Sequence, residues 1–281
     1  MRKMKLILAA LLAVGQLSVG AQTTVFKDVF SGSAKGGKIV TKATPSVAYT
    51  SNLPTNQENA SGSVRISGGT LVIVPGKPEN ADDAKGNLGY VIGETAKFGA
   101  PYQSILSKNQ GTVTWYTGMQ YSRTASLSST IGEGKQAMVT ILACDKADPK
   151  NPEAKGYGLF LMGAGKSNRL FLIHFTKGIG NMKRGDESNT IIAQGPNVPF
   201  GGESYTMAKV TYKPSSNTWE LATADVADNF RDPLKVKYGN KSGEQVNDGA
   251  TNIALPYFGF ASGFSKSSGW SRFDNFYVIV E

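Results

Sequence analysis

One cysteine and one histidine in 281 residues exclude much chemistry at once. Cys144 has no second thiol to pair with, so the chain forms no internal disulfide and its core must carry its stability alone. His174 stands alone, which rules out a multi-histidine metal site, and no H-E-x-x-H or G-x-S-x-G sequence occurs. Gly32 to Lys38 (GSAKGGK) has the lysine of a phosphate loop, but Ile39 stands where the Mg-binding hydroxyl belongs, so the stretch reads as a turn. Gly163-Ala164-Gly165 has Asn168 where a dinucleotide fingerprint needs glycine. Helical periodicity is almost absent, and no apolar run approaches the roughly 20 residues of a membrane span. Lys and Arg are scattered rather than gathered in long basic runs, so no nucleic-acid partner is expected.

What is present begins with Arg2, Lys3 and Lys5, then the apolar run Leu6 to Val14, then a polar region ending Val19-Gly20-Ala21 with compact residues at its −3 and −1 positions. This order predicts a signal peptide over residues 1–21, cleaved after Ala21. Gln22 stands where a lipid-anchored protein carries cysteine, so the expected product is freely periplasmic or extracellular. Without the leader, 27 Lys and Arg against 21 Asp and Glu leave a charge of +6. Such an excess suits acidic partners such as anionic glycans and serves equally as solubilising charge.

Residues 22–281 read as one all-β domain: 33 glycines punctuate short apolar runs with turn signals between them. Twelve strands are expected, among them Thr112 to Tyr121, Gln136 to Cys144, Arg169 to Phe175, Ser204 to Lys213, Thr218 to Thr223 and Arg272 to Val280. Alternate residues of a strand share a face. That spacing sets Val113, Trp115, Met119 and Tyr121 opposite Tyr116, Gln120 and Ser122, and puts Ala208, Val210 and Tyr212 together. It sends Trp219 to the core, His174 to the face of Leu170 and Leu172, Cys144 to that of Met138 and Leu142, and Asp274 to that of Phe276, Val278 and Val280. Asp274-Asn275 then reads as a structural cap. Residues 75–87, 145–155 and 177–189 form long polar loops, where function usually sits. Their acids (Asp82-Asp83, Asp145 with Asp148, Asp186-Glu187) leave structural calcium open, although no cofactor motif is present.

Several segments, in order, resemble the concanavalin A-like lectin and glucanase superfamily, in the form of secreted lectin-like domains of Bacteroidetes. They are SGGTLVIV from Ser67, VTWYTGMQYSR from Val113, YGLFL from Tyr157, the strand Leu170 to Phe175, AKVTYKPSSNTWEL from Ala208 and the stretch from Leu255 to Val280. The resemblance implies a jelly-roll β-sandwich of two antiparallel sheets, one concave, in a superfamily of sugar binders, glycoside hydrolases and polysaccharide lyases. Retaining hydrolases of that fold carry E-x-D-x-E or E-x-D-x-x-E, since alternate residues of one strand face one cleft and two carboxylates must flank the bond. No glutamate here is followed two residues later by aspartate. Alginate-lyase members carry Q-[IV]-H and Y-F-K-A-G-x-Y-N-Q strands; this chain has Leu172-Ile173-His174 and no counterpart of the second.

A carbohydrate-binding, lectin-like role is therefore expected ahead of an enzyme on the same fold, with an accessory part of a surface assembly third. The candidate ligand residues are Tyr116, Gln120, Arg123, His174 and Trp270, because sugars are held by aromatic faces and planar polar groups. In the enzymatic alternative His174 or Tyr116 serves as base and Arg123 neutralises a uronate. The leader makes its own prediction: mass mapping of the exported protein should find its first residue at Gln22, free or cyclised to pyroglutamate, and an uncleaved Met1 start would overturn it.

Overall fold

A computed structural model describes residues 21–56, 62–75, 88–121, 137–164, 167–180, 182–198, 205–226, 232–246, 254–263 and 270–281. Seventeen strands lie among them. In chain order they are β1 (Thr23–Asp28), β2 (Gly32–Lys35), β3 (Lys38–Thr41), β4 (Thr50–Ser51), β5 (Ser63–Ser67), β6 (Thr70–Val74), β7 (Leu88–Glu94), β8 (Val113–Tyr121) and β9 (Met138–Cys144). There follow β10 (Gly156–Ala164), β11 (Ser167–Phe175), β12 (Asn189–Val198), β13 (Tyr205–Lys213), β14 (Thr218–Val226), β15 (Asn240–Val246), β16 (Tyr257–Gly263) and β17 (Ser271–Val280). Fifteen of these strands form a jelly-roll sandwich of two antiparallel sheets, and β2 and β3 pair with each other in a separate two-stranded sheet.

The first sheet runs β15-β14-β13-β8-β17-β6-β5, with β1 also paired to β17, and the second runs β12-β11-β10-β9-β16-β7-β4. The inner faces supply the main core. Val113, Trp115, Met119 and Tyr121 of β8 meet Leu170 and Leu172 of β11 there, and Ala208, Val210, Tyr212 and Trp219 join them as the alternation predicts. Two polar contacts cross the gap between sheets, Thr117 with Thr140 at 3.1 Å and Ser262 with Ser271 at 2.8 Å.

Strict alternation fails where a strand gains a residue. The pairing of β9 with β10 and β16 shifts near Leu142 and Ala143, so Cys144 joins Val139 and Ile141 on the second sheet's outer face rather than Met138 and Leu142. Its thiol is buried, which pushes its pKa up to about 11. The same happens in β17, where Asn275 takes a left-handed φ of 52°. Asp274 pairs with Gly118, on the side of Tyr116 and Gln120, while Phe276, Val278 and Val280 turn inward. The expected common face of Asp274 and Phe276 is thus corrected by one inserted residue.

The glycine-rich stretch from Gly32 turns as its sequence predicts, whereas a short helix was not anticipated. Gly36 and Gly37, both at positive φ, make the two-residue turn joining β2 to β3. Helix α1 (Gly99–Lys108) buries only Tyr102 and Leu106, one turn apart, and ends on Asn109 in a left-handed cap. Among the described residues no helix is long and apolar enough to cross a membrane.

Asp28, fully buried at the end of β1, pins the strand's exit. Its carboxylate accepts from the Phe30 amide at 2.7 Å, the Thr41 hydroxyl at 2.7 Å and the Tyr49 hydroxyl at 3.0 Å. Removing it orphans two buried donors and the part-buried Thr41 hydroxyl, a buried donor costing about 1–3 kcal/mol when left unpaired. Asp28→Ala should accordingly lose on the order of 3 kcal/mol or more in denaturant unfolding, and a loss under about 1 kcal/mol would show that the pin is dispensable.

Candidate functional site

Each sheet has an outer face, and the two differ in chemistry. That of the second sheet is roofed by its own loops. Phe160, Phe171, Ile173 and Phe175 form a second apolar cluster there with Ala154, Ile179 and Met182. The Gly178 amide binds the Ala154 carbonyl at 2.7 Å, and the Ile179 amide binds that of Pro149 at 2.8 Å. Arg184 lies 4.8 Å over Phe171 and donates to the Gly163 carbonyl at 2.7 Å. The loops at 145–155 and 177–189 therefore serve packing on this face. Their acids are used locally: Asp145 accepts from the Lys155 amide at 2.7 Å, and Asp148 from the Lys150 amide at 3.0 Å. Among the described residues no three His, Cys, Asp or Glu side chains gather as a metal would require; Asp82 and Asp83 lie outside those residues.

The outer face of the first sheet is aromatic at one end and polar at the other. At the aromatic end Tyr116, 8% exposed, packs with Tyr277 and Ile279, and Tyr238 leans over it at 5.8 Å. Burial, with the nearby charge of Glu281, pushes the Tyr116 hydroxyl pKa up, away from any role as a base near neutral pH. Lys27 sits 4.9 Å over the Tyr277 ring.

At the polar end Gln120, 2% exposed, accepts from Arg272 Nη1 at 3.4 Å. The indole of Trp270, half-buried and just ahead of β17, covers the Arg272 guanidinium at 4.1 Å. Arg65 of β5 faces the same side across β6, its guanidinium pulled below its ordinary pKa by burial and then by the charge of Arg272. Asp274 completes the group. Burial lifts its pKa to about 7 against a hydrogen bond from the Asn275 amide at 2.7 Å, with Asp28 adding to the rise. Its other oxygen accepts from Asn275 Nδ2 at 3.2 Å, so both carboxyl oxygens hold the bulge.

Of the expected residues, Tyr116, Gln120 and Trp270 thus fall to one face of one sheet. His174 does not join them. It is half-exposed on the inner face of the second sheet, stacked on Tyr157 at 4.8 Å, and Tyr157 stacks on Trp219 at 4.8 Å. Burial, and after it Lys155, lowers the His174 pKa. Arg123 lies outside the described residues. Arg272 and Arg65 escaped sequence reasoning. Arg272 was legible, two residues from Trp270 on a strand; Arg65 is far away in the chain and reaches the site only by strand pairing.

No protein-family model matches this sequence, and none of the curated proteins is similar to it. Solved structures do align. The carbohydrate recognition domain of Emp46p, potassium-bound, aligns at 13% identity and TM-score 0.44 over 82% of this chain and 87% of that one. The winged bean acidic lectin complexed with methyl-α-D-galactose aligns at 6% identity and TM-score 0.46 over 93% and 99%. The catalytic domain of a glycoside hydrolase family 131 protein from Coprinopsis cinerea aligns at 10% identity and TM-score 0.35 over 60% and 56%. Scores of this size leave the architecture to rest on the strand pairings themselves.

Asp274 generates a pH prediction. A carboxyl whose folded pKa of about 7 exceeds its unfolded value near 4 stabilises the protein fully below pH 4 and loses that contribution as pH rises to 7. Asp28, also raised by burial, acts in the same direction. Asp274→Asn should flatten the fall in stability between pH 4 and 7 and match or exceed the parent at pH 8 in thermal melts. An unchanged slope would show that Asp274 ionises freely in the folded state.

Proposed function

We propose that this protein is an exported, lectin-like carbohydrate-binding protein whose ligand lies on the polar end of the first sheet's outer face. The observation that carries the reading is the joining of Trp270, Arg272 and Gln120. A half-buried indole stands 4.1 Å from a guanidinium that is itself held by a buried amide at 3.4 Å. Sugars need such a set: an apolar ring against their C–H faces, and planar polar groups fixed in direction for their hydroxyls. The loops at 145–155 and 177–189 pack upon the other outer face, which favours the polar end of the first sheet for a ligand.

The leader at residues 1–21, a single domain over 22–281 and the resemblance to secreted lectin-like domains of Bacteroidetes support glycan recognition or utilisation outside the cytoplasm. Tyr116 serves this site from beneath, as packing under the aromatic end, rather than by touching a sugar. His174 belongs to the Tyr157–Trp219 stack.

An enzyme on the same fold is the second reading, favoured by one observation: a carboxyl at Asp274 with a pKa of about 7 is poised to give a proton near neutral pH. Hydrolysis requires a second carboxylate about 5–10 Å away. The other buried acid nearby, Asp28, is engaged by Phe30, Thr41 and Tyr49. Binding without turnover is therefore the better fit.

The test is a glycan array with pull-downs on insoluble polysaccharides, run on the parent and on Trp270→Ala. We expect at least a ten-fold loss of binding in the variant with a thermal midpoint within about 3 °C of the parent, as fits a partly exposed ring. A blank array for the parent across neutral and acidic glycans overturns the carbohydrate reading. Release of reducing ends or unsaturated uronates by the parent, lost in Asp274→Asn, would replace it with the enzymatic one.

A further inference from the structure

The polar end of this face holds two positive charges that no acid among the described residues neutralises. The pairing register aligns Arg65 with Val72, Val72 with Arg272, and Arg272 with Gln120. Residues opposite one another across a sheet share a side, so these four side chains form one row over β5, β6, β17 and β8. Two strand spacings separate the arginines, about 10 Å at Cα, and two side chains of this length can converge on one group between them. Each guanidinium buries its Nε with no hydrogen-bond partner. Among the described residues, no carboxylate lies at ion-pair distance from either one. Asp274, on the same side, spends both oxygens on Asn275.

Placing like charges together and leaving buried donors unpaired costs free energy, and the packing here does not offset it with an acid. The neighbours instead fix the direction of one guanidinium. Trp270 stacks on its plane at 4.1 Å, and Gln120 takes one Nη1 donor at 3.4 Å. A planar fork held in this way matches the oxygens of a carboxylate or sulfate, which a lysine could not do.

Resting on the carbohydrate reading above, we propose that Arg65 and Arg272 form a subsite for an acidic group of the glycan, a uronate carboxylate or a sulfate ester, with Trp270 against the sugar ring that bears it. The bound anion relieves the repulsion between the two arginines, so its affinity falls as salt rises. The subsite thus selects among glycans by charge, while Trp270 offers its ring to any sugar and the buried Gln120 keeps Arg272 in direction.

Affinity electrophoresis through polygalacturonate, dextran sulfate and dextran separates the cases. For the exported full chain we expect retention on polygalacturonate, dextran sulfate or both, which tells carboxylate from sulfate, and weaker retention at higher salt. Arg65→Gln, and Arg272→Lys with its charge kept but its fork removed, should each weaken that retention at least ten-fold. Arg65→Gln should also raise the melting temperature of the free protein and abolish the rise that free galacturonate or sulfate gives the parent. Equal retention of parent and variants on the acidic polymers overturns the subsite, as does retention on dextran alone, which leaves carbohydrate binding standing. Failure on all three polymers together with a blank glycan array overturns the carbohydrate reading as well.

Discussion

The extra residue in β17 is the constraint on which the rest of this sandwich depends. Three strands meet on β17: β8 along one edge, and β6 and then β1 along the other. Phe273 points into the core before the bulge. Without an insertion the same alternation would carry Asn275, Tyr277 and Ile279 inward and leave Phe276, Val278 and Val280 to solvent. With it, the three apolar residues enter the core, where Phe276 packs against Phe258 at 5.3 Å. Arg272, Asp274 and Tyr277 are left together on the outer face. Asparagine tolerates the left-handed backbone this needs better than most residues, and Asp274 holds it there with two hydrogen bonds.

The two outer faces follow from what the chain could spare to cover them. Strands β9, β10 and β11 carry apolar residues on both sides, so the second sheet needed a roof, and the loops at 145–155 and 177–189 provide one through backbone hydrogen bonds and the Arg184–Phe171 contact. In the first sheet β8, β13 and β17 alternate apolar with polar or amphipathic residues. Its outer face carries Tyr116, Gln120, Lys209, Arg272 and Tyr277, with Val236 and Tyr238 packed over Met207 and Tyr116 at the aromatic end. Glycoside hydrolysis makes a harder demand, because two carboxylates must flank one bond, and the described acids near this site, Asp28 and Asp274, are tied to amide and hydroxyl donors.

Much of the fold was legible because alternation of apolar and polar residues is a local signal. The sides of Trp115, Val210, Trp219 and His174 all followed from counting by two, and the sandwich followed from many short strands with glycine between them. Counting failed at Cys144 and Asp274, where one inserted residue reverses every later side chain while leaving the composition of the strand unchanged. Helix α1 was missed for a related reason: two buried residues in ten give hardly any periodicity. In the candidate site, Gln120 and Trp270 were recognisable as polar and aromatic residues on or beside strands. Arg65 carried no such sign.

By itself the sequence determined that this is an all-β chain without disulfide or histidine-metal chemistry, and which side chains of its regular strands enter the core. Those properties depend on residue types and on spacing within a few residues. Only the tertiary structure decided which outer face stays polar, and that Arg65, Arg272, Gln120 and Trp270 share it. Their neighbourhood comes from pairing among β5, β6, β17 and β8, the first and third of which lie more than two hundred residues apart in the chain, and from the bulge that fixes the facing of Asp274 beside them. Hydrogen-bond register between distant strands is a property of the folded sheet, so no reading of neighbours along the chain could have supplied it.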